Sequence, residues 1–244
     1  MNKTTEIYTS FKKRKGQIAI LIDPEEIDNK DKLIQLIEKA EFAKVDYFFV
    51  GGSSVTREKF EDVITLLKSK TKTPVVIFPG SSHQVSKQAD AILYLSLISG
   101  RNPDFLIGQH VQSANEIYDL NIEVIPTAYL LIDGGTKSSV AYVSQTTPIP
   151  QDKDRIILNT AKAGLLQGKQ LLFLDAGSGA KHHVRSSIID KLSELDHPII
   201  IGGGIRSIST IKELEKANVL VIGNKIEEEI DFLLDIHSYT SARN

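Results

Sequence analysis

Short, uninterrupted runs of β-branched and other apolar residues recur along the chain, bounded by Gly, Pro or Asp: QIAILID (17–23), YFFVGG (47–52), PVVIFPG (74–80), AILYLSLI (91–98), IEVIPTAYLLI (122–132), LLFLDAG (171–177), PIIIGGG (198–204) and VLVIGN (219–224). Continuous apolar runs suit strands covered on both faces, so eight parallel strands are predicted. Between them, apolar positions repeat at helical spacing in KDKLIQLIEKAEFAK, TREKFEDVITLLKSK, NPDFLIGQHVQSANEIYDL, KDRIILNTAKAGLLQ, HHVRSSIIDKLSEL, SISTIKELEKA and KIEEEIDFLLDI. Asn102 followed by Pro103 marks a helix start, and Ser207 or Ser209 is placed to cap the helix behind the three glycines. Strand and helix alternate from end to end. The pattern predicts an α/β fold, a (β/α)8 TIM barrel occupying 1–244 as a single domain, with an open doubly wound sheet as the alternative.

Two connections break the rhythm. Gly80 and Ala91 are joined by only SSHQVSKQAD, ten residues, near the lower limit for a whole crossover with its helix. The third outer helix is therefore expected to be short or missing, leaving a gap in the helical ring. The opposite case is DGGTKSSVAYVSQTTPIPQ (133–151), a long polar, proline-bearing connection of the kind that forms an active-site loop.

Composition narrows the partners. Twenty-nine basic residues against 31 acidic give a formal net charge of -2, so no global attraction to nucleic acid is implied. The absence of cysteine excludes disulfides and thiolate-bound metal. No apolar run approaches the length of a membrane span, and MNKTTEIYTSFKKRKG is too polar for a signal peptide. A cytoplasmic protein is expected, one that would meet a lipid from a groove or by transient contact with a membrane surface.

In a barrel the chemistry sits at the C-terminal strand ends. Collected there are Asp23-Pro24-Glu25, Gly51-Gly52-Ser53-Ser54, Asp175-Ala176-Gly177-Ser178-Gly179, Gly202-Gly203-Gly204 and Gly223-Asn224. The glycines of PIIIGGGIRS fit neither a dinucleotide fingerprint, since Ser207 stands where the last glycine belongs, nor a P-loop. Paired with Gly223-Asn224 one strand later, they match the phosphate site that barrels build from their last two loops; tight packing or a helix C-cap is the bland reading. Loop 6 can add backbone donors and the Ser178 hydroxyl. Asp23 ends an apolar strand, where a carboxylate is costly to bury unless paired; it is a candidate Mg²⁺ ligand with Ser53 as a second oxygen, or else a cap or salt-bridge residue. Asp175 is a candidate base for a substrate hydroxyl, or else the partner of Arg206 or Lys181. Arg206 reads equally well as a phosphate contact or a solvated helix residue. His83, His110, His182 and His183 have no spacing that compels a metal site.

Taken together, LIDP at the first strand, VGGSS at the second, FPGSSHQVS after the third, DAGSGA at the sixth, GGGIRS at the seventh and VIGNKIEE at the eighth resemble the geranylgeranylglyceryl phosphate synthase family, the PcrB-like prenyltransferases, in the branch with an AGSGA-type loop. The resemblance covers nearly the whole chain. It implies transfer of a C20 prenyl group from geranylgeranyl diphosphate to the 3-hydroxyl of sn-glycerol 1-phosphate, the first ether bond of ether lipids. Carried over motif by motif, Asp23 and Ser53 become the Mg²⁺-site residues, and Phe173, Leu174, Asp175, Ala176, Gly177, Ser178, Gly179, Gly203, Gly204, Gly223 and Asn224 the holders of glycerol phosphate. The family also implies a modified third helix and assembly as a homodimer or a larger homo-oligomer. This chain departs from the family at strand 6, where the usual Y-x-E reads Phe173-Leu174-Asp175. The tyrosine hydroxyl is gone, and the carboxylate reaches about 1.5 Å less far. Without the resemblance, a sugar-phosphate isomerase or epimerase type of barrel and a non-catalytic phosphate-ligand binding protein remain the alternatives.

Overall fold

The computed structural model describes residues 6–242; the first five residues of the polar N-terminal stretch lie outside the described residues. Each predicted apolar run forms a strand: β1 Gln17–Ile22, β2 Tyr47–Val50, β3 Val75–Ile77, β4 Ala91–Leu97, β5 Glu123–Leu131, β6 Leu171–Asp175, β7 Ile199–Gly202 and β8 Val219–Ile222. All neighbours pair in parallel and β8 closes on β1, giving a barrel in sequence order. The open-sheet alternative is thereby excluded.

The continuous apolar runs now have their cause. Alternate residues point inward and outward, so Ala19, Phe49, Val76, Leu93, Leu131, Phe173 and Val221 fill the interior, while Ile18, Ile20, Val50, Ile92, Leu174 and Ile201 meet the helices. Both sets are dry, and neither face can be polar.

The helical segments form α2 Lys30–Phe42, α3 Arg57–Lys70, α4 Gln109–Asp119, α6 Asp154–Leu166, α7 Ser186–Ser193 and α8 Ile208–Leu214. Asn29, Thr56 and Ser207 accept hydrogen bonds from the backbone N–H three residues on, satisfying orphan donors of the first turn. The start at Asn102-Pro103 is real, and opens into a wide turn over Asp104–Gly108 before α4 begins.

Three features depart from the pattern. KIEEEIDFLLDI, expected as one helix, is two: α9 Asn224–Glu228 and α10 Phe232–Ser241, separated where Glu229 turns to extended backbone. The long 133–151 connection holds a short helix, α5 Ser139–Ser144, capped by Ser138 and ended by Gln145 in the left-handed conformation. The N-terminal segment supplies α1 Glu6–Lys13, unforeseen because eight residues are too few for a clear period. Phe11 of α1, fully buried, packs 5.0 Å from the Tyr47 ring. Glu123, at the start of β5, accepts from the N–H groups of Ile7 and Tyr8, each at 2.8 Å, and so caps α1 across the closed end of the barrel.

Between β3 and β4 no helix forms among the described residues, as the ten-residue link requires. Gln84 does the work of that missing helix. Fully buried, it donates from Nε2 to the Gly52 carbonyl at 2.7 Å and accepts from the Gly80 N–H at 3.0 Å, stitching the β2 and β3 loops together.

Candidate active site

The rim residues collected from the sequence surround one cavity of about 350 Å³ at the C-terminal mouth, with Asp23, Ser53, Asp175, Ser178, Gly203, Gly204, Gly223 and Asn224 in its wall. It does not stop at the mouth. Leu95 and Leu97 line it from the inner side of β4, Ile92 and Tyr94 from the outer side, and Phe105 and Ile117 from the α4 segment. The space therefore passes over β4 into the gap left by the absent helix. One end is polar and the other is an apolar trough.

At the polar end three loops are tied into a clamp. Asn224 Oδ1 accepts from the Gly179 N–H at 2.8 Å and from the Ser178 hydroxyl at 3.2 Å, while its Nδ2 donates to Glu227 at 2.9 Å. Gly203 and Gly204 adopt φ of +80 and +72 degrees, a conformation side chains rarely adopt. A methyl group on Gly203 would also lie 2.8 Å from the Gly177 amide nitrogen, so only glycine lets loop 7 close against loop 6. The arrangement is a wall of backbone donors and short polar side chains, suited to an anion.

Not every residue carried over from strand 6 faces the cavity. Leu174 points into the helical layer, so only its backbone, paired with β5 and β7, is near the site. Phe173 faces inward and stacks on Phe78 at 4.8 Å. Ala176, Gly177 and Gly179 are outside the lining, and the N–H groups of Gly177 and Gly179 serve to hold Asp175 and Asn224 in place.

Asp175 is buried at 9% exposure, against the usual cost of a carboxylate in such a place. Both its oxygens are held: Oδ1 accepts from the Gly177 N–H at 2.8 Å, and Oδ2 from the Tyr129 hydroxyl at 2.5 Å. Burial raises its pKa above the ordinary aspartate value, while these two hydrogen bonds pull it back. The suggested ion pair with Arg206 is not formed; Arg206 pairs with Glu228 instead.

Asp23 caps the turn Pro24–Glu26, accepting from the Glu25 N–H at 3.0 Å, so the cap reading accounts for one of its oxygens. Gly52 is pressed onto its carboxylate: a methyl group there would sit 2.3 Å from Oδ1. The glycines of VGGSS are thus needed for close packing behind β2, Gly52 against Asp23 and Gly51 against the Phe78 carbonyl. Ser53, the next residue, is exposed at the rim. Burial, with repulsion from Glu26 and Glu25, raises the Asp23 pKa; burial, with repulsion from Glu26, Asp23 and Glu228, raises that of Glu227.

This rim fits a divalent cation by its donor chemistry. It gathers Asp23, Glu25, Glu26 and Glu227, while the cationic side chains in the lining, Arg206 and Lys225, are each engaged by a glutamate. An anionic group entering here would need a counter-charge that these engaged side chains do not offer. Among the described residues no three His, Asp or Glu groups come together to hold a metal ion by themselves, so a divalent cation here would need water and substrate oxygens for the rest of its ligands.

Three of the four histidines have partners within the fold, although His110, which lines the cavity, keeps a buried Nδ1 without a hydrogen bond. His83 bonds the Val55 carbonyl, His183 the Val184 carbonyl, and buried His110 the Ser96 hydroxyl. Two contributors escaped the sequence. Gln84 had a signal, being part of FPGSSHQVS; Tyr129 had none, because its partner lies 46 residues away in the chain.

A closed barrel with a polar clamp, a buried carboxylate and an apolar side trough at one mouth has the make-up of a barrel enzyme's site, able to take an anionic group and a long apolar one side by side. The chain belongs to the PcrB family, whose sequence model matches residues 10–239. It is 45% identical over 238 residues to the geranylgeranylglyceryl phosphate synthase of Chitinophaga pinensis, covering 95% of this chain and 94% of that protein. Identity to the synthase of the same name from Korarchaeum cryptofilum is 36%, over 92% and 93% of the two chains. The crystal structure of (S)-3-O-geranylgeranylglyceryl phosphate synthase from Thermoplasma acidophilum, in complex with sn-glycerol-1-phosphate, superposes with a TM-score of 0.87 at 33% identity over 95% of this chain and 94% of that one.

Proposed function

We propose that this protein transfers a geranylgeranyl group from its diphosphate to the 3-hydroxyl of sn-glycerol 1-phosphate, releasing diphosphate and forming the first ether bond of an ether lipid. The observation that carries this reading is the single cavity in which the Asn224–Ser178–Gly203 clamp, the Asp175 carboxylate, the acidic Asp23 rim and the apolar trough over β4 are continuous. The clamp holds the acceptor's phosphate. Asp175 takes the proton of its hydroxyl as the oxygen bonds to the allylic carbon. The trough shelters the prenyl chain and keeps water from the allylic centre. Mg²⁺, held by Asp23 with Ser53 beside it, would neutralise charge on the departing diphosphate.

The same reading includes a cytoplasmic location, one domain over the whole chain, assembly as a homodimer or larger homo-oligomer, and transient contact with a membrane surface for release of product. No described helix is long and apolar enough to cross a membrane. Tyr118 and Val111 stand 81% and 69% exposed on α4, an apolar surface of the kind that association covers; light scattering at working concentration gives the mass.

Incubation with Mg²⁺, sn-glycerol 1-phosphate and radiolabelled geranylgeranyl diphosphate is expected to yield label extractable into organic solvent. No product with prenyl diphosphates of any length would overturn the reading. Asp23→Ala should lower turnover by about a hundredfold or more while leaving the fold intact; full activity would remove Asp23 from the metal site.

A further inference from the structure

We propose that Tyr129 is a positioning residue for the base: from β5 it supplies the hydroxyl that β6 lacks at Phe173, and it fixes Asp175 toward the acceptor. The inference rests on the reading of Asp175 as the proton acceptor.

The geometry is local and complete. Tyr129 and Phe173 are register neighbours on adjacent strands, so the two side chains project into the barrel at the same level. Their rings meet edge to face at 5.5 Å, and Phe78 packs against both, at 6.0 Å from Tyr129 and 4.8 Å from Phe173. The aromatic trio leaves the Tyr129 ring little freedom, and its hydroxyl ends 2.5 Å from Asp175 Oδ2. Burial and the neighbouring carboxylate push the phenol pKa well above its ordinary value, so the hydroxyl stays protonated and can only serve the carboxylate as a donor. From β5 the titratable group facing Asp175 is Tyr129; from β7 the carboxylate meets Gly202 and Gly203, and from its own loop the Gly177 amide, none of which titrates.

The hydroxyl that holds the base comes from the neighbouring strand, and a single methylene joins the carboxylate to the backbone. A short carboxylate gripped on both oxygens cannot swing, so each oxygen keeps a defined free lone pair, and one of these must face the acceptor hydroxyl for transfer to occur. Loss of the Tyr129 bond would free one oxygen and leave a buried charge with a single donor, favouring the protonated, inactive form.

The test is Tyr129→Phe, assayed for kcat and KM across pH beside Asp175→Ala and the double variant Tyr129→Phe/Phe173→Tyr. The expected result is a kcat lowered about tenfold or more near neutrality, with KM for glycerol phosphate changed by less than about threefold. The acidic limb of the kcat profile should move up by about one pH unit, narrowing the deficit in alkali. The double variant, which returns a hydroxyl to β6, should recover part of the loss. A Tyr129→Phe enzyme with the original kcat and an unmoved acidic limb overturns the inference, as does a loss that is uniform in pH and not rescued. Activity in Asp175→Ala overturns the base assignment itself, a distinguishable outcome. A readout without turnover is the ¹³C titration of the Asp175 carboxyl, assigned with Asp175→Asn: its midpoint should rise in Tyr129→Phe, and an unchanged midpoint also overturns the inference.

Discussion

Asp175 shows how a single residue can serve a site at the expense of the fold. Its pKa is raised in the folded chain, chiefly by burial. Between the unfolded value and this higher one the native state binds more protons than the unfolded state, so stability falls as pH rises through that window, and at neutral pH the ionised group is a standing cost. Asp175→Asn keeps the shape and an acceptor for the Gly177 amide while removing the charge. It should therefore abolish turnover yet raise the melting temperature at pH 7 by about 2–4 °C, a gain of roughly 1 kcal/mol for a chain of this size. The gain should vanish when melting is followed at a pH below the ordinary aspartate range; a destabilised variant at pH 7 would contradict the account.

At the scale of elements, much of the architecture could be read from the sequence because each strand buries both faces and so writes itself as an unbroken apolar run. The ten residues from Ser81 to Asp90 were too few to build a helix, and that arithmetic alone located the gap. What escaped was decided by tertiary contact. The break at Glu229 interrupts a good helical period, and α1 owes its place to Phe11 under the barrel and to Glu123 across it. The same division runs through the site: glycines and rim carboxylates announce themselves by position, whereas the Tyr129–Asp175 bond joins strands whose register no local pattern reveals. Gln84 shows how the gap is held without a helix. Gln84→Leu leaves the Gly52 carbonyl and the Gly80 amide without their partner, a loss of about 2 kcal/mol, and should lower the melting temperature by about 4–8 °C. Because Ser53 follows Gly52 directly, turnover should fall with it; calorimetry and the product assay together check both effects.

For the whole molecule, the cavity divides its labour by position. The clamp of loops 6 to 8 is built of backbone amides and neutral side chains, whereas the adjoining rim, beginning at Glu227 beside Asn224, carries Asp23, Glu25 and Glu26 as well. Removing Mg²⁺ with a chelator should therefore abolish turnover and weaken prenyl diphosphate binding by about tenfold or more, since a diphosphate would face carboxylates unscreened. Binding of sn-glycerol 1-phosphate should change by less than about threefold. Titration calorimetry of each substrate with and without the metal separates the two; an equal loss for both would mean that one site serves them jointly.

The gap between β3 and β4 gives the enzyme two doors. A barrel with a full ring of helices admits everything through its mouth, so every reactant must fit beside every other and leave in turn. On the proposed function, the water-borne acceptor would enter from above and the oily donor from the flank, neither blocking the other's path. The length of lipid tail can then be altered by rebuilding the flank alone, leaving the reacting end untouched.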